Sequence, residues 1–437
     1  MSPSLHPDWK PLPFWWEAAP LVPAEAPLPK QVDVAIVGSG YCGLHAARVL
    51  AEAGLTVAVI EAGDPGFGAS TRNHGMLSGG LKVPADLDQR LGKEWADAVR
   101  TTAFESFDYM KRLIAEKNLD IDYQPTGRFI GAHAPKAYKM LEARAAYLRD
   151  AYGYDVRMVP REQQRAEVGS DFYYGGYVIE QVSGMHPAKL HRAVRGLAEA
   201  AGATVHGQAE VLSIDGRAGR FTLKTKRGEV KADKVLLATN AYTSAFNGSV
   251  FPYVRRRLVP VTAYMAATEE LPPDLARALL PTNRMCGDTK RSLYAFRLSP
   301  DGRRIIFAGR AKFRDIDEKE ATPILHRFMC DVWPELAGYR VSHCWKGLVA
   351  FTFDAVPHLG EHDDVLYVAG CQGNGVAIMS YLGYQAAQKI LHGAQRQCGH
   401  DGIPFPTRPT YTGHPWFLPG VGAYYKARDA VDRYLAA

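Results

Sequence analysis

Cysteine is scarce in this chain of 437 residues, which has six in all, at positions 42, 286, 330, 344, 371 and 398. None of them forms a CxxC pair or stands at the spacing of metal ligands. This excludes a disulfide scaffold and a cysteine-based metal site, so we expect no metal. Reduced thiols are typical of a cytoplasmic protein, and we predict that location.

Long apolar runs and a strong charge of one sign are also missing. No segment offers about eighteen consecutive uncharged apolar residues, and the N-terminus has no basic stretch leading into an apolar core. We therefore expect no membrane span and no secretion signal. The formal charge is +6, and apart from Arg255–Arg257 the basic residues are scattered. This pattern gives no indication of a nucleic-acid partner.

The composition is that of a globular protein with more than one domain. Hydrophobic residues make up 47% of the chain and charged residues 22%. A length of 437 residues favours two domains. Residues 1–30 contain eight prolines together with Trp9, Trp15 and Trp16. We predict that this segment is an extended strap whose aromatic rings dock on the body of the protein.

A dinucleotide-binding pattern occupies residues 32–61. An apolar strand leads into a glycine turn and a helix, and a second apolar strand ends at Glu61. Gly38 permits the tight turn, Gly40 lets phosphates approach the backbone, and Gly43 lets helix and strand pack closely. The first N–H groups of the helix point at a pyrophosphate, and Glu61 accepts hydrogen bonds from a ribose diol. The pattern alone leaves NAD and FAD equally possible, and an ordinary strand-turn-helix is the alternative.

The order of elements predicts an α/β chain with two architectures. Helical spacing covers residues 86–118, 135–150 and 187–202, and buried strands are predicted at 235–239 and 365–370. Strands at 254–267, 292–298 and 304–310 indicate an antiparallel sheet. The predicted domains are a strap (1–30), a discontinuous Rossmann-like domain (31–85, 151–250 and 345–395), a substrate domain (86–150 and 251–344) and a C-terminal extension (396–437).

Four further segments carry a family resemblance. They are Gly66–Gly75, Ala238–Tyr242, Trp345–Gly360 with its Thr352 and Asp354, and Gly370–Val376. With the glycine fingerprint they resemble the FAD-dependent oxidoreductases of the D-amino-acid oxidase and glycine oxidase superfamily, most closely the branch containing γ-glutamylputrescine oxidase. The resemblance implies an FAD laid along the Rossmann-like domain, with its isoalloxazine at the interface to the antiparallel substrate domain.

The resemblance also implies the cofactor-binding residues. These are Gly38, Gly40, Tyr41, Cys42, Gly43, Glu61, Ala62, Ser70, Thr71, Arg72, Asn73, His74, Gly75, Met76, Val211, Thr239, Asn240, Trp345, Gly373, Asn374, Gly375 and Val376. Ser70 and Thr71 carry hydroxyls for phosphate or ribityl oxygens, and Arg72 and Asn73 are expected at the ring edge. The turn at 373–375 opens a helix and so places partial positive charge where a reduced flavin is negative. For the loop at 70–76, a solvated turn is the alternative.

The implied reaction removes a hydride from the carbon next to an amine nitrogen. The imine is hydrolysed to an aldehyde or keto product, and O₂ becomes H₂O₂. Two departures from family patterns narrow the substrate. Val349 stands where glycine and D-amino-acid oxidases carry an arginine for the α-carboxylate, and Gly347 stands where sarcosine oxidase-like enzymes attach flavin to a cysteine. We therefore expect a polyamine derivative, a secondary amine or an N-substituted amino acid, and no cysteinyl flavin.

Catalytic candidates are Lys346, Tyr264, Tyr294 and His74. Lys346 near the flavin is suited to stabilising superoxide or binding a substrate anion, and a structural ion pair is the alternative. Tyr264 and Tyr294 are predicted aromatic walls for an amine, with core packing as the alternative. His74 is either a flavin attachment point or a residue packed beside the ring.

Rival functions remain open. One is a dehydrogenase of similar amines that uses a quinone or a carrier protein. The other is a NAD(P)-binding reductase or regulatory protein.

Overall fold

The computed structural model describes residues 4–79, 83–84, 86–244, 250–393, 395 and 397–434. The strands are β1 (Leu5–Lys10), β2 (Gln31–Val37), β3 (Val57–Ile60), β4 (Met76–Ser78), β5 (Arg128–Gly131), β6 (Val156–Val159), β7 (Gly176–Ile179), β8 (Val182–Gly184), β9 (Thr204–His206), β10 (Val211–Asp215), β11 (Phe221–Thr225), β12 (Gly228–Leu237), β13 (Leu258–Thr268), β14 (Met285–Asp288), β15 (Ala295–Leu298), β16 (Ile305–Gly309), β17 (Val341–Thr352), β18 (His358–His362) and β19 (Val365–Ala369). The helices are α1 (Trp15–Ala18), α2 (Tyr41–Glu52), α3 (Leu87–Leu91), α4 (Lys93–Glu116), α5 (Pro135–Tyr152), α6 (Pro187–Ala200), α7 (Pro252–Arg255), α8 (Pro273–Leu279), α9 (Glu318–Val332), α10 (Gly375–His392) and α11 (Leu418–Tyr434).

An eight-stranded sheet holds the glycine fingerprint. Its strand order is β10-β11-β12-β2-β3-β9, with β19 beside β12 and β18 beside β19. The strands β12, β2, β3 and β9 run parallel, and β19 runs parallel to β12. Helices α2, α6 and α10 cover one face through a core that includes Val34, Ile36 and Leu382. Parallel strands covered on both faces read as continuous apolar runs, which is why β2, β3 and β19 were visible in the sequence.

A nine-stranded, mainly antiparallel sheet forms the second part, in the order β1-β17-β13-β16-β15-β14-β5-β7-β6. Two of its pairings are parallel, β1 with β17 and β14 with β5. Helices α8 and α9 cover one face through a core that includes Tyr264, Phe296 and Leu325. The α/β class with a second, antiparallel architecture is thus confirmed.

Several boundaries differ from the sequence predictions. Strands β6 and β7 hydrogen-bond into the nine-stranded sheet, although we predicted residues 151–250 for the Rossmann-like domain. The same holds for β17, which crosses our predicted boundary at residue 345. Residues 252–255 form α7, since Pro252 favours the first turn of a helix. Among the described residues, no helix combines the length and apolarity needed to cross a membrane.

The N-terminal segment lies on the body as a strap, but it is not extended throughout. Its strand β1 pairs with β17, and a short helix, α1, follows Pro13. Trp15 is fully buried against Ala188, Met265 and Trp345. Its indole Nε1 donates a hydrogen bond of 3.0 Å to the carbonyl oxygen of Asn73. The strap is therefore part of the core that joins the two sheets.

Truncating Trp15 tests this role of the strap. We expect Trp15→Ala to lower the free energy of unfolding by about 3–5 kcal/mol, because it removes a buried aromatic ring and leaves a cavity. The matched control is Trp416→Ala, since Trp416 is 65% exposed and its removal should change stability by no more than about 0.5 kcal/mol. Urea unfolding followed by circular dichroism gives both values, and equal effects would contradict the role of the strap.

Candidate functional site

The glycine turn between β2 and α2 has the geometry that the sequence predicted. Gly38 has a φ of +105°, which a side chain would strain. A Cβ atom at Gly43 would collide with the carbonyl oxygen of Gly38, so only glycine lets α2 approach β2. Gly40 precedes α2, and a Cβ there would lie 3.1 Å from Ser70 Oγ. Gly40 thus leaves room for a pyrophosphate at the start of α2, where the N–H of Tyr41 donates a hydrogen bond of 3.0 Å to Ser70 Oγ.

Glu61 stabilises this turn directly. Its Oε2 atom accepts hydrogen bonds from the N–H of Ser39 at 2.9 Å and from Ser39 Oγ at 2.7 Å. The carbonyl of Ser39 in turn lies 2.8 Å from Nε2 of the buried His191. We predicted Glu61 as the partner of a ribose diol. It lines the cleft described next, while one of its oxygens holds the turn.

A cleft runs over the carboxyl ends of the parallel strands, where α/β sheets bind ligands. It is lined by eight of the predicted cofactor residues: Gly38, Gly40, Glu61, Ala62, Ser70, Val211, Thr239 and Asn240. Tyr41 and Cys42 instead point away from the turn. The Tyr41 hydroxyl donates to the carbonyl oxygen of Pro187 at 2.9 Å, and Cys42 packs against Gly383 of α10.

Three indole rings hold the loop at residues 70–76. Trp15 donates to the carbonyl of Asn73, Trp16 donates to Thr71 Oγ1 at 2.9 Å, and Trp345 donates to the carbonyl of Arg72 at 2.9 Å. The consecutive residues Thr71, Arg72 and Asn73 are each bound by a different tryptophan. Two of these tryptophans come from the strap and one from β17.

Arg72 and Asn73, which we predicted at the ring edge, use their side chains within this framework. Arg72 donates to the carbonyls of Phe67 at 2.7 Å and Lys346 at 3.1 Å. Asn73 Nδ2 donates to the carbonyl of Ser70, and its Oδ1 accepts from the N–H of Gly75. These bonds fix the path of the loop.

One face of the nine-stranded sheet looks onto this loop, and we call it the inner face. Trp345 on β17 bonds the Arg72 carbonyl, and Arg297 on β15 donates to the carbonyls of Gly75 at 3.1 Å and Met185 at 2.9 Å. Arg297 is 1% exposed, and burial lowers its pKa to about 10. It therefore acts as a cationic brace between sheet and loop.

His74, on the loop, lies close to the inner face, because the charges of Arg297 and Arg128 act on it. Its Nε2 atom is buried and has no hydrogen-bond partner in the part of the chain that the structure describes. Burial, with the charges of Arg297 and Arg128, lowers its pKa to about 3, so the ring is neutral at physiological pH.

The three other catalytic candidates lie on the opposite, outer face. Residues that face each other across neighbouring strands share a face, and Tyr264 pairs with Lys346 on that side. Lys346 Nζ forms an ion pair with Asp315 at 2.8 Å and also bonds the carbonyl of Ile316 at 3.0 Å. This is the structural ion pair that was the alternative for Lys346.

Tyr264 and Tyr294 are core residues and not walls of the cleft. Tyr264 is fully buried, and its hydroxyl accepts a hydrogen bond of 2.8 Å from the N–H of Ile316. Tyr294 packs on Phe307 and Phe328. The prediction that they face the flavin is wrong because the face carrying them is the one covered by α9. The alternation that groups Tyr294 with Phe296 and opposes Arg297 does hold.

The predicted turn at residues 373–376 begins α10 and lies beside β4. Ser78 Oγ donates to Asn374 Oδ1 at 2.9 Å, and the side chain of Asn374, the N-cap residue, makes no capping hydrogen bond with the described start of α10. A second cavity, lined by Ser78, Cys371, Gln372 and Asn374 among others, adjoins this helix start. Among the described residues, no group of three or more His, Cys, Asp or Glu side chains is placed to bind a metal.

Comparison with known proteins decides the family. Residues 33–389 match the family described as DAO, FAD dependent oxidoreductase. The chain belongs to this family. A probable oxidoreductase OrdL from Rhizobium meliloti is 30% identical over 386 residues, covering 86% of this chain and 88% of that protein. The gamma-glutamylputrescine oxidoreductase of Escherichia coli is 29% identical over 401 residues, with coverage of 91% and 92%.

Solved structures show the same fold. The glycine oxidase of Geobacillus kaustophilus superposes with a TM-score of 0.71 at 21% identity, covering 87% of this chain and 99% of that one. The protein is therefore an FAD-dependent oxidoreductase of the DAO family that acts on amines or amino acids. The resemblance found in the sequence is confirmed, and a NAD(P)-binding reductase or regulatory protein is excluded.

A pair of glycine substitutions tests the fingerprint. We expect Gly43→Ala to abolish retention of FAD, because the added methyl collides with backbone at Gly38 and must displace α2. The control is Gly196→Ala in helix α6, where a Cβ has nothing within 4 Å. That change should keep FAD and stabilise the helix by up to about 1 kcal/mol. The ratio of flavin to protein absorbance after gel filtration measures retention, and a yellow Gly43→Ala protein would contradict the prediction.

Buried histidines make the fold sensitive to acid. Burial lowers the pKa of His191 to about 4, below the value of about 6.5 expected in the unfolded chain. Unfolding then takes up a proton, so stability present above pH 6.5 is lost as the pH falls toward 4, by about 1.4 kcal/mol per pH unit for each such group. We expect His191→Asn to flatten this dependence and the exposed His414→Asn to leave it unchanged. Urea titrations between pH 7 and pH 4 measure the slopes.

Proposed function

We propose that the protein is an amine oxidase that removes a hydride from the carbon next to an amine nitrogen, with O₂ as the acceptor. The proposed substrates are polyamine derivatives, secondary amines and N-substituted amino acids. The imine product is hydrolysed to an aldehyde or keto compound. The similarity to a gamma-glutamylputrescine oxidoreductase over 91% of the chain supports a substrate of this class.

The observation that carries this proposal is a patch of small residues on the inner face, which we call the floor. Ala263 pairs with Gly347, and Ala308 pairs with Ala295, which in turn faces Gly287. All but Gly287 are only partly buried, although their strands lie within the sheet. Because small residues with exposed surface leave room above a sheet, we infer a space over Ala263, Ala295 and Ala308, bounded by the Arg72 side chain, which would lie 3.5 Å from a Cβ atom at Gly347. We call this space the chamber, and the loop at 70–76 lies on its far side.

The residues of the cleft and the helix starts fit the cofactor of the family. We propose that the cleft holds the adenosine diphosphate part of FAD, with its pyrophosphate on the N–H groups of α2. The start of α10, beside Ser78 and Asn374, would then meet the pyrimidine side of the ring, since a helix N-terminus stabilises negative charge. When bound, FAD accepts the two electrons of the amine oxidation.

The chain's own residues bind the amine and exclude water. His74 is neutral, and its buried Nε2 atom has no partner among the described residues, so we propose that it hydrogen-bonds the substrate nitrogen once the substrate is bound. Arg297 holds the loop against the sheet and so keeps the distance between the loop and the inner face fixed. We assign no proton transfer to Lys346, Tyr264 or Tyr294, because they face the core or Asp315.

Anaerobic reduction of the flavin tests the substrate class. The holoenzyme is mixed without O₂ with γ-glutamylputrescine, putrescine, sarcosine, pipecolate and D-alanine, and bleaching of the flavin absorbance is recorded. We expect bleaching by one or more of the first four compounds. A response confined to D-alanine would contradict the proposal.

The acceptor is tested separately with the amine that bleaches best. An oxidase releases one H₂O₂ per amine in air, and we expect this result. Dye reduction without peroxide would establish instead a dehydrogenase that uses a quinone or a carrier protein. Acid precipitation of the same sample shows whether the flavin stays in solution, as we expect for a flavin without a covalent link.

A further inference from the structure

An arginine that has no hydrogen-bond or ion-pair partner among the described residues lies on the inner face. Arg128 is on β5, pairs with Met285 on β14, and is 8% exposed. Its Nε atom is buried and has no hydrogen-bond partner in the part of the chain that the structure describes. Within the described residues, its guanidinium enters no ion pair, and its strongest electrostatic neighbours are Tyr177, Cys286 and Asp288. A buried charge left in this state is costly to a folded protein.

Arg297 on the same face shows how the fold satisfies a buried arginine. Its donors bond the carbonyls of Leu298, Gly75 and Met185 and the side chain of Gln124. Arg128 has no comparable set of acceptors. The hydrogen bonds of Arg297 give it a structural role in the fold. Arg128 makes no such bonds among the described residues, so a structural role does not explain why an arginine is buried there.

Asp288 does not supply the missing partner. It follows Gly287 on β14, so its side chain belongs to the outer face. Its Oδ1 atom accepts from the N–H groups of Lys290 and Tyr294 at 3.1 Å. Burial raises the pKa of this carboxyl, while the charge of the neighbouring Lys290 acts in the opposite direction.

The guanidinium of Arg128 lies over the chamber floor. A Cβ atom at Gly287 would be 2.5 Å from Arg128 Nη2, so the guanidinium of Arg128 fills the space that a side chain at residue 287 would take. Gly287 neighbours Ala295 and, beyond it, Ala308. The charge of Arg128 also acts on His74, whose buried Nε2 is unpaired as well. Two polar side chains from different elements, each with a buried atom that has no partner among the described residues, therefore lie close to each other.

We propose that Arg128 binds a carboxylate of the amine substrate at the Gly287 side of the chamber. This inference rests on the proposed function and narrows it to amines that carry a carboxylate. A carboxylate offers two oxygens to the guanidinium fork, which gives a charge-assisted, bidentate bond. The bond forms when the substrate enters and supplies the partner that the fold lacks.

Matched substrate pairs and variants of the holoenzyme test this assignment. The pairs are sarcosine with sarcosinamide, pipecolate with pipecolamide, and γ-glutamylputrescine with N-acetylputrescine. We expect Arg128→Met to raise KM for the carboxylate members about 10- to 100-fold, the loss typical of a hydrogen bond to a charged group. KM for the members without a carboxylate should stay within about twofold. Arg128→Lys should raise KM for the carboxylate members less than Arg128→Met does. The control Arg220→Met, at an exposed residue, should change KM for neither kind of substrate.

Two further readouts separate binding from structure. Without substrate, Arg128→Met should unfold at the same or a higher temperature, because it removes an unpaired buried charge. A marked fall would show a structural role and overturn the proposal. Gly287→Ala leaves the charge in place but pushes the guanidinium aside, and it should raise KM for the carboxylate members selectively. Equal effects of Arg128→Met on both members of a pair would also overturn it.

Failure of the proposed function gives a different result. If no amine bleaches the wild-type flavin, the amine oxidase proposal fails, and glutarate then serves as the probe. Perturbation of the flavin spectrum by glutarate in the wild type, weakened in Arg128→Met, would still support a carboxylate site. No perturbation in the wild type, or an equal one in both proteins, would overturn it.

Discussion

Three indole N–H groups donate hydrogen bonds to three consecutive residues of one loop and so fix how the two sheets lie relative to each other. Trp15, Trp16 and Trp345 bind Asn73, Thr71 and Arg72, and these tryptophans come from two distant parts of the chain. An indole is a large apolar ring with a single donor, so it can fill a core and orient a backbone at once. The position of the loop relative to the inner face depends on these contacts, and so does the size of the chamber.

Local patterns in the sequence predicted a large part of the fold. The fingerprint could be read because close packing at Gly43 and positive φ at Gly38 demand glycine at fixed spacing. Helix α6 could be read from His186 and Pro187, which cap and start it. The short helix α1 and the membership of β6 and β7 could not be read. They are decided by contacts with distant segments, which leave no periodic signal.

The side chains of the second sheet show a sharper limit. Alternation predicts which residues share a face, and it grouped Tyr294 with Phe296 against Arg297 correctly. It does not say which face meets the loop, because apolar residues stand on both faces of this sheet. The aromatic residues proved to lie under α9. Arg128 was missed for a related reason, since a sequence cannot show that a buried charge lacks a partner.

The charges on the inner face also bear on how an amine would react there. Hydride removal requires the neutral amine, whereas amines in water are largely protonated at pH 7. Arg128 and Arg297 are buried cations, and they lower the pKa of the neighbouring His74. A positive field of this kind acts on a bound ammonium in the same direction and favours its neutral form. A substrate carboxylate on Arg128 would offset only one of the two charges, so the field of Arg297 would still favour the reactive, neutral amine.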